Sequence, residues 1–177
     1  MSDPIEPLGG ETVFKGKTFS VAVERFRHHD GEQVLREVVR RQDAAAIVAY
    51  DDECVWLVRQ PREAILRFTL ELPAGKLDVE GESPLQTAQR ELGEEIGKSA
   101  RHWQAVISYF SSSGYSDEQV HIFAATGLRD VDAEPDPGER IEIVAWPLAD
   151  LDAAIGACED AKTVIGLQWL AAARRTP

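Results

Sequence analysis

The chain is short of cysteine, short of basic residues relative to acidic ones, and without long apolar runs, and each shortage removes a class of protein. Cys54 and Cys158 are the two cysteines among 177 residues. Neither has CxxC or Cys/His spacing around it, so buried free thiols are expected in place of a disulfide framework or a zinc site. Lys and Arg number 19 against 31 Asp and Glu, a formal charge of −12, which repels phosphate backbones and excludes nucleic acid as a bulk partner. No segment approaches the roughly 18–20 apolar residues of a membrane span, and MSDPIEPLGGE opens without a basic stretch and an apolar run. A cytoplasmic protein with no membrane partner is the expectation. His28, His29, His102 and His121 are scattered without ligand spacing and take no role, and Trp56, Trp103, Trp146 and Trp169 read as packing residues.

Apolar residues at 44% and charged residues at 28% are ordinary globular values. The chain has no internal repeat and no Pro/Ser/Gly run long enough for a linker, so it is long enough for one main domain with a small terminal appendage. Three β-like runs open it, ETVFKG, TFSVAVERFRH and QVLREVVRR, the last two separated by HDGE, and together they predict a small antiparallel sheet. AAAIVAYD, CVWLVRQ and FTLELPAG follow, then HWQAVISYF, QVHIFAATGL and RIEIVAWPL after an intervening helix. LADLDAAIGACE and DAKTVIGLQWLAAARR close the chain as helices. Strands, one helix, strands, helices is the order of an α+β or mixed-sheet α/β sandwich, not of a regular βαβ repeat.

The intervening helix carries the chemistry. Ser83, Pro84 and Gln86 form a capping box with proline at the first helical position, and Gly97 is placed to end the helix in a left-handed conformation, which predicts a helix over 84–96. Leu85, Ala88, Leu92 and Ile96 make one inward stripe. Glu94, Glu91 and Glu95 then fall within an arc of about 100° on the flank of that stripe, beside Arg90. Like charges at this spacing, at the helix end least suited to anions, cost about 1–3 kcal/mol together. A cation held among the carboxylates reverses that balance, and hard oxygen ligands on a rigid element suit Mg²⁺ or Mn²⁺. A pair of helical glutamates alone is ordinarily a solvated face. Here a glycine loop, a glutamate just before the cap and Arg-Glu one turn ahead of Glu-Glu accompany it.

Those residues resemble the signature of the Nudix hydrolases: Gly75, Glu82, Arg90, Glu91, Leu92, Glu94, Glu95 and Gly97 take its places. Two departures stand out. Six residues, where five are usual, separate Gly75 from Glu82, and Lys98 occupies an aliphatic position. VRQPR, LELPAGK, SSSGYSDE, GERIE and IGLQWL extend the resemblance over most of the chain, towards the ADP-ribose pyrophosphatase branch; Ser112-Ser113-Gly114 stands where that branch has Ser-Pro-Gly.

The resemblance implies an α/β/α sandwich of Nudix type with a mixed sheet, over residues 43–177, and a small N-terminal antiparallel sheet over 1–42 that serves dimerisation and substrate contacts in a homodimer. It implies metal-dependent hydrolysis of the pyrophosphate in ADP-ribose or a related nucleoside diphosphate sugar, with Mg²⁺ or Mn²⁺ as cofactor. By resemblance, Glu91, Glu95 and the backbone carbonyl of Ala74 are the metal ligands, Glu94 is a further carboxylate, and Arg90 orients the glutamates. Glu139 in DPGERIE is the general-base candidate, with Asp136 and Glu142 as competitors. Arg59 and Arg62 frame RQPR and would clamp phosphate or the terminal ribose, a surface ion pair being the plainer alternative for Arg62. Arg36 and Glu37 fall where related dimers recognise adenine; a cross-strand charge pair is the alternative. Phe19 reads as a core aromatic before a base-stacking one, and Glu118 as either a ribose-loop acid or an exposed one. GDP-mannose or another sugar nucleotide, a non-catalytic nucleotide-sensing module and an acidic structural dimer are the competing readings.

Overall fold

The computed structural model describes residues 5–132 and 140–175. They form two compact units, one comprising residues 5–43 with 110–119 and the other residues 44–109 with 120–132 and 140–175.

The first unit is a three-stranded antiparallel sheet of β1 (Glu6–Lys15), β2 (Ser20–Arg27) and β3 (Gln33–Arg40) in sequence order. The Asp-Gly turn closes the β2–β3 hairpin, with Gly31 at φ 87°, a conformation that favours glycine. Residues 110–119 join this unit through Val39, whose N–H donates to the Tyr115 carbonyl at 2.7 Å. Phe19, expected in the core, is exposed and sits 5.6 Å from the Phe14 ring, because this sheet has no helix packed on it within its unit.

The second unit contains β4 (Ala44–Tyr50), β5 (Cys54–Arg62), β6 (Arg67–Glu71), β7 (Ala74–Lys76), α1 (Pro84–Ile96), β8 (Lys98–Phe110), β9 (Gln119–Asp130), β10 (Glu142–Pro147), α2 (Leu151–Ala157) and α3 (Ala161–Arg175). Its seven-stranded mixed sheet runs β10-β5-β4-β9-β8, with β6 paired to β5 and β7 to β4; β4 and β9 are parallel. β4 is apolar throughout because it is buried on both faces. Ala45, Ile47 and Ala49 pack with Ala88, Leu92 and Ile96 of α1, while Ala46 and Val48 pack with Leu167 and Leu170 of α3. This is the α/β/α sandwich expected. Gly166 lets α3 approach closely, since a Cβ there would lie 2.6 Å from Leu72 Cδ1 and 2.8 Å from Val48 Cγ2.

FTLELPAG is not one strand. β6 covers the β5 edge from Val58 to Arg62, and after Leu72-Pro73 the chain moves to the β4 edge as β7. Pro73 at the crossover has no N–H to leave unpaired, and its carbonyl accepts from Ile47 N–H at 2.9 Å. Both cysteines are free; Cys158 is buried and Cys54 partly so. Among the described residues no helix is long and apolar enough to cross a membrane.

Candidate functional site

The site is built where α1 lies against β7. Ser83 and Gln86 form the capping box, with Gln86 N–H donating to Ser83 Oγ at 3.3 Å and Ser83 N–H to Gln86 Oε1 at 2.9 Å. Gly97 ends the helix at φ 64°. The extra residue ahead of the helix is taken up in a turn, where Glu82 N–H donates to the Val79 carbonyl at 3.1 Å and Gly81 adopts φ 86°, so the helical register is untouched. Lys98 also finds a role: its ammonium pairs with Asp130 at 2.7 Å and lies 4.0 Å from the Trp56 ring centroid.

Arg90 is the hub. Its Nη1 donates to Glu91 Oε1 at 2.8 Å and to Glu94 Oε2 at 2.7 Å, and its Nε reaches both Glu82 oxygens at 3.3 Å. Thr87 Oγ1 donates to Glu82 Oε2 at 3.0 Å, which explains why a threonine is buried on this helix. Burial opposes the charge on Arg90, but the charges of Glu91, Glu94 and Glu82 outweigh it and hold its pKa above the ordinary value. Its Nη2 is buried without a hydrogen-bond partner among the described residues, 3.7 Å from Asp78 Oδ1.

Two carboxylates flank consecutive residues of β7. Glu95, only 6% exposed, accepts from Ala74 N–H at 2.9 Å. Glu91 lies against Gly75 so closely that a Cβ there would fall 1.8 Å from Glu91 Oε1. Among the described residues no three His, Cys, Asp or Glu side chains form a ready cage for a metal. The donor set is nevertheless all oxygen, and a Cβ-free backbone lies against one of its carboxylates. Such a set fits Mg²⁺ or Mn²⁺, which binds through one or two carboxylates and takes water and substrate oxygens elsewhere.

Arg62, whose side chain is 45% exposed, is anchored on a buried acid. Its Nε and Nη2 donate to the two oxygens of Glu71, each at 2.6 Å, and Glu71 is 2% exposed. Thr69 and Lys162 also reach Glu71. Burial alone would raise the Glu71 pKa, but Arg62, Lys162 and Thr69 reverse that and bring it down to about 2. Sequence reasoning missed this group: Arg67, Thr69 and Glu71 alternate with Phe68 and Leu70, the pattern of a strand with one solvated polar face, and nothing local marks Glu71 as buried.

Arg59 is exposed, pairs with Glu142 at 3.1 Å and lies 4.7 Å from the Phe68 ring centroid. Glu139 and Asp136 lie outside the described residues. In the first unit, Arg36 and Glu37 are exposed on β3. Arg36 donates to the Leu35 carbonyl at 2.8 Å, and Glu24, its cross-strand neighbour, pairs with Arg40. Arg36 and Arg40 line a groove with Ser113, Gly114 and Asp117. Glu118, read as exposed in one alternative, is 7% exposed and pairs with Arg41 at 3.2 Å.

The NUDIX domain model matches residues 40–166. The chain is 36% identical to an ADP-ribose pyrophosphatase of Bacillus subtilis over 168 residues, covering 92% of this chain and 90% of that protein. It is 44% identical to an ADP-ribose pyrophosphatase of Mycobacterium tuberculosis over 127 residues, 71% of this chain but 61% of that protein's length. A crystal structure of an ADP compounds hydrolase superposes with a TM-score of 0.84 at 26% identity, covering 96% of this chain and 94% of the other. With a glutamate-bearing helix held against a glycine strand in an α/β/α sandwich, the chain belongs to the Nudix family. Within that family it is a hydrolase similar to the ADP-ribose pyrophosphatases.

Proposed function

We propose that this protein hydrolyses the pyrophosphate of ADP-ribose, or of a closely related nucleoside diphosphate sugar, to a nucleoside monophosphate and a sugar phosphate. The observation that carries this reading is the Arg90 hub, which holds Glu82, Glu91 and Glu94 while Glu91 and Glu95 flank Ala74 and Gly75. Kinship with proteins named ADP-ribose pyrophosphatases over nearly the whole chain supports the choice of substrate.

Water attacks one phosphorus, the anhydride P–O bond breaks, and the attacking water gives up its proton to a base. Glu139 is that base. Glu91, Glu95 and the Ala74 carbonyl, with Glu94 beside them, would hold Mg²⁺ or Mn²⁺, which when bound neutralises the diphosphate and acidifies the attacking water. Arg90 keeps the carboxylates in one orientation, so little reorganisation is needed at the moment of reaction. Arg59 and Arg62 serve the phosphates, and Arg36, Glu37 and Glu118 the nucleoside. Residues 1–42 serve dimerisation and substrate contacts, residues 43–177 catalysis, in a cytoplasmic homodimer.

Incubation with ADP-ribose, GDP-mannose and other nucleoside diphosphate compounds, with Mg²⁺ or EDTA and identification of the products, tests the reading. AMP release from ADP-ribose that requires Mg²⁺ supports it. GMP release exceeding AMP release transfers the assignment to a guanosine sugar nucleotide, and no turnover of any compound with either metal leaves a nucleotide-sensing module.

A further inference from the structure

Arg62 is anchored from a distant part of the chain. Two of its guanidinium nitrogens are spent on Glu71, a carboxylate almost entirely shielded from water, while the Arg62 side chain itself is 45% exposed. Glu71 is held in turn by Lys162 Nζ at 2.5 Å, and Lys162 by Asp160 at 3.0 Å. Asp160 caps α3 through Thr163 N–H at 3.0 Å and accepts from Thr163 Oγ1 at 2.6 Å; the same Thr163 oxygen accepts from Leu72 N–H at 2.9 Å. One helix end therefore grips the strand on both sides of the Glu71–Leu72 peptide, two residues ahead of Ala74.

The charges balance within this group: Arg62 and Lys162 against Glu71 and Asp160. A single Arg–Glu pair would satisfy a surface requirement without burying Glu71, and burial of a carboxylate is costly unless every lone pair is engaged. What the arrangement secures is orientation. A guanidinium held by one edge presents its remaining N–H groups in one fixed direction, the geometry that bidentate recognition of phosphate needs. Glu71 lies three residues ahead of Ala74, whose N–H donates to Glu95 at 2.9 Å, so the strand that anchors Arg62 runs directly into the carboxylate site.

We propose that Glu71 and Lys162 are positioning residues that hold Arg62 as a pre-oriented anion-binding group for the diphosphate. The inference rests on the hydrolase reading above and goes beyond it by assigning a role to α3. Preorganisation of this kind lowers the ordering cost of binding, so its loss weakens affinity without removing any group that touches the ligand.

The test is a double-mutant cycle on Arg62→Ala and Lys162→Met, read by calorimetric binding of inorganic pyrophosphate in the presence of Mg²⁺. Lys162→Met keeps a side chain of similar length and removes the charge and the N–H donors to Glu71 and Asp160. Arg62→Ala is expected to raise Kd about tenfold or more and Lys162→Met about fivefold. The double variant is expected to match Arg62→Ala alone, because Lys162 acts through Arg62. A structural role for Lys162 would persist in the Arg62→Ala background, so additive effects overturn the proposal. Unchanged binding in Lys162→Met, or no pyrophosphate binding by the wild type, overturns it equally. As a second readout, the Arg62 Nε–H resonance of the free protein should show a rigid heteronuclear NOE that collapses in Lys162→Met; a mobile wild-type Arg62 contradicts the idea. ADP-ribose turnover is measured separately, and its absence in a wild type that passes the cycle overturns the substrate assignment and not the positioning role.

Discussion

Glu91 Oε1 occupies space that any side chain at residue 75 would need, since a Cβ on Gly75 would lie 1.8 Å from it. The glycine of the signature is therefore a steric demand of the carboxylate. Gly75→Ala should displace Glu91, and a displacement of about 1 Å at a reacting centre costs about a hundredfold in rate. Steady-state kinetics should show that loss in kcat, with a thermal transition that remains cooperative; near-normal kcat would mean that Glu91 can shift without consequence.

Arg90 hydrogen-bonds to three glutamates at once, each within 3.3 Å. A lysine has the charge but not the fork, so Arg90→Lys should lose about ten- to a hundredfold in kcat/KM. Charge alone predicts little difference between the two residues, so Arg90→Lys turning over like wild type would reduce Arg90 to a counterion.

Glu71 makes stability dependent on pH. Its folded pKa is about 2, below the 4.5 of the free side chain. The unfolded chain thus binds the proton more readily. The stabilisation is complete above about pH 4.5 and is lost as pH falls towards 2. Glu71→Gln should flatten that acid limb in urea titrations. At neutral pH it should cost about 3 kcal/mol, because Arg62 and Lys162 are left without their shared partner. An unchanged acid limb would show that Glu71 is not the titrating group.

How much of this was legible in the sequence follows the range of the forces involved. The helix over 84–96 was readable at both ends because caps are local: Ser83, Pro84, Gln86 and Gly97 act within one turn of themselves. Ala44–Tyr50 was readable as a strand from its β-rich apolar run. Long-range pairings were not. Arg62 could be picked out as a functional arginine, but Lys162, which shares Glu71 with it, is a hundred residues away and nothing local connects them. Residues 110–119 group with the first unit through contacts to Val39, which no periodicity within that segment reveals. Glu95 read as one of three carboxylates on the flank of the apolar stripe; the Ala74 N–H that satisfies it where it is buried comes from β7, which the helix pattern does not reveal.

Glu139, which follows Pro137-Gly138 in the sequence, is the proposed base. Glu139→Gln should lower kcat by about a hundredfold or more with little change in KM, the pattern of lost acid–base catalysis. Near-normal kcat would remove Glu139 and direct attention to Glu142, whose carboxylate is engaged by Arg59 in the structure.

The account depends most on the glutamates of α1 serving hydrolysis of a diphosphate. Its most direct test is product analysis on ADP-ribose with the wild type and Glu95→Gln, each with Mg²⁺ and with EDTA. The wild type should yield equal amounts of AMP and ribose 5-phosphate with Mg²⁺ and neither with EDTA. Glu95→Gln should yield at most about a hundredth as much. Equal product formation by the two proteins, or none from the wild type with Mg²⁺ or Mn²⁺, would contradict it.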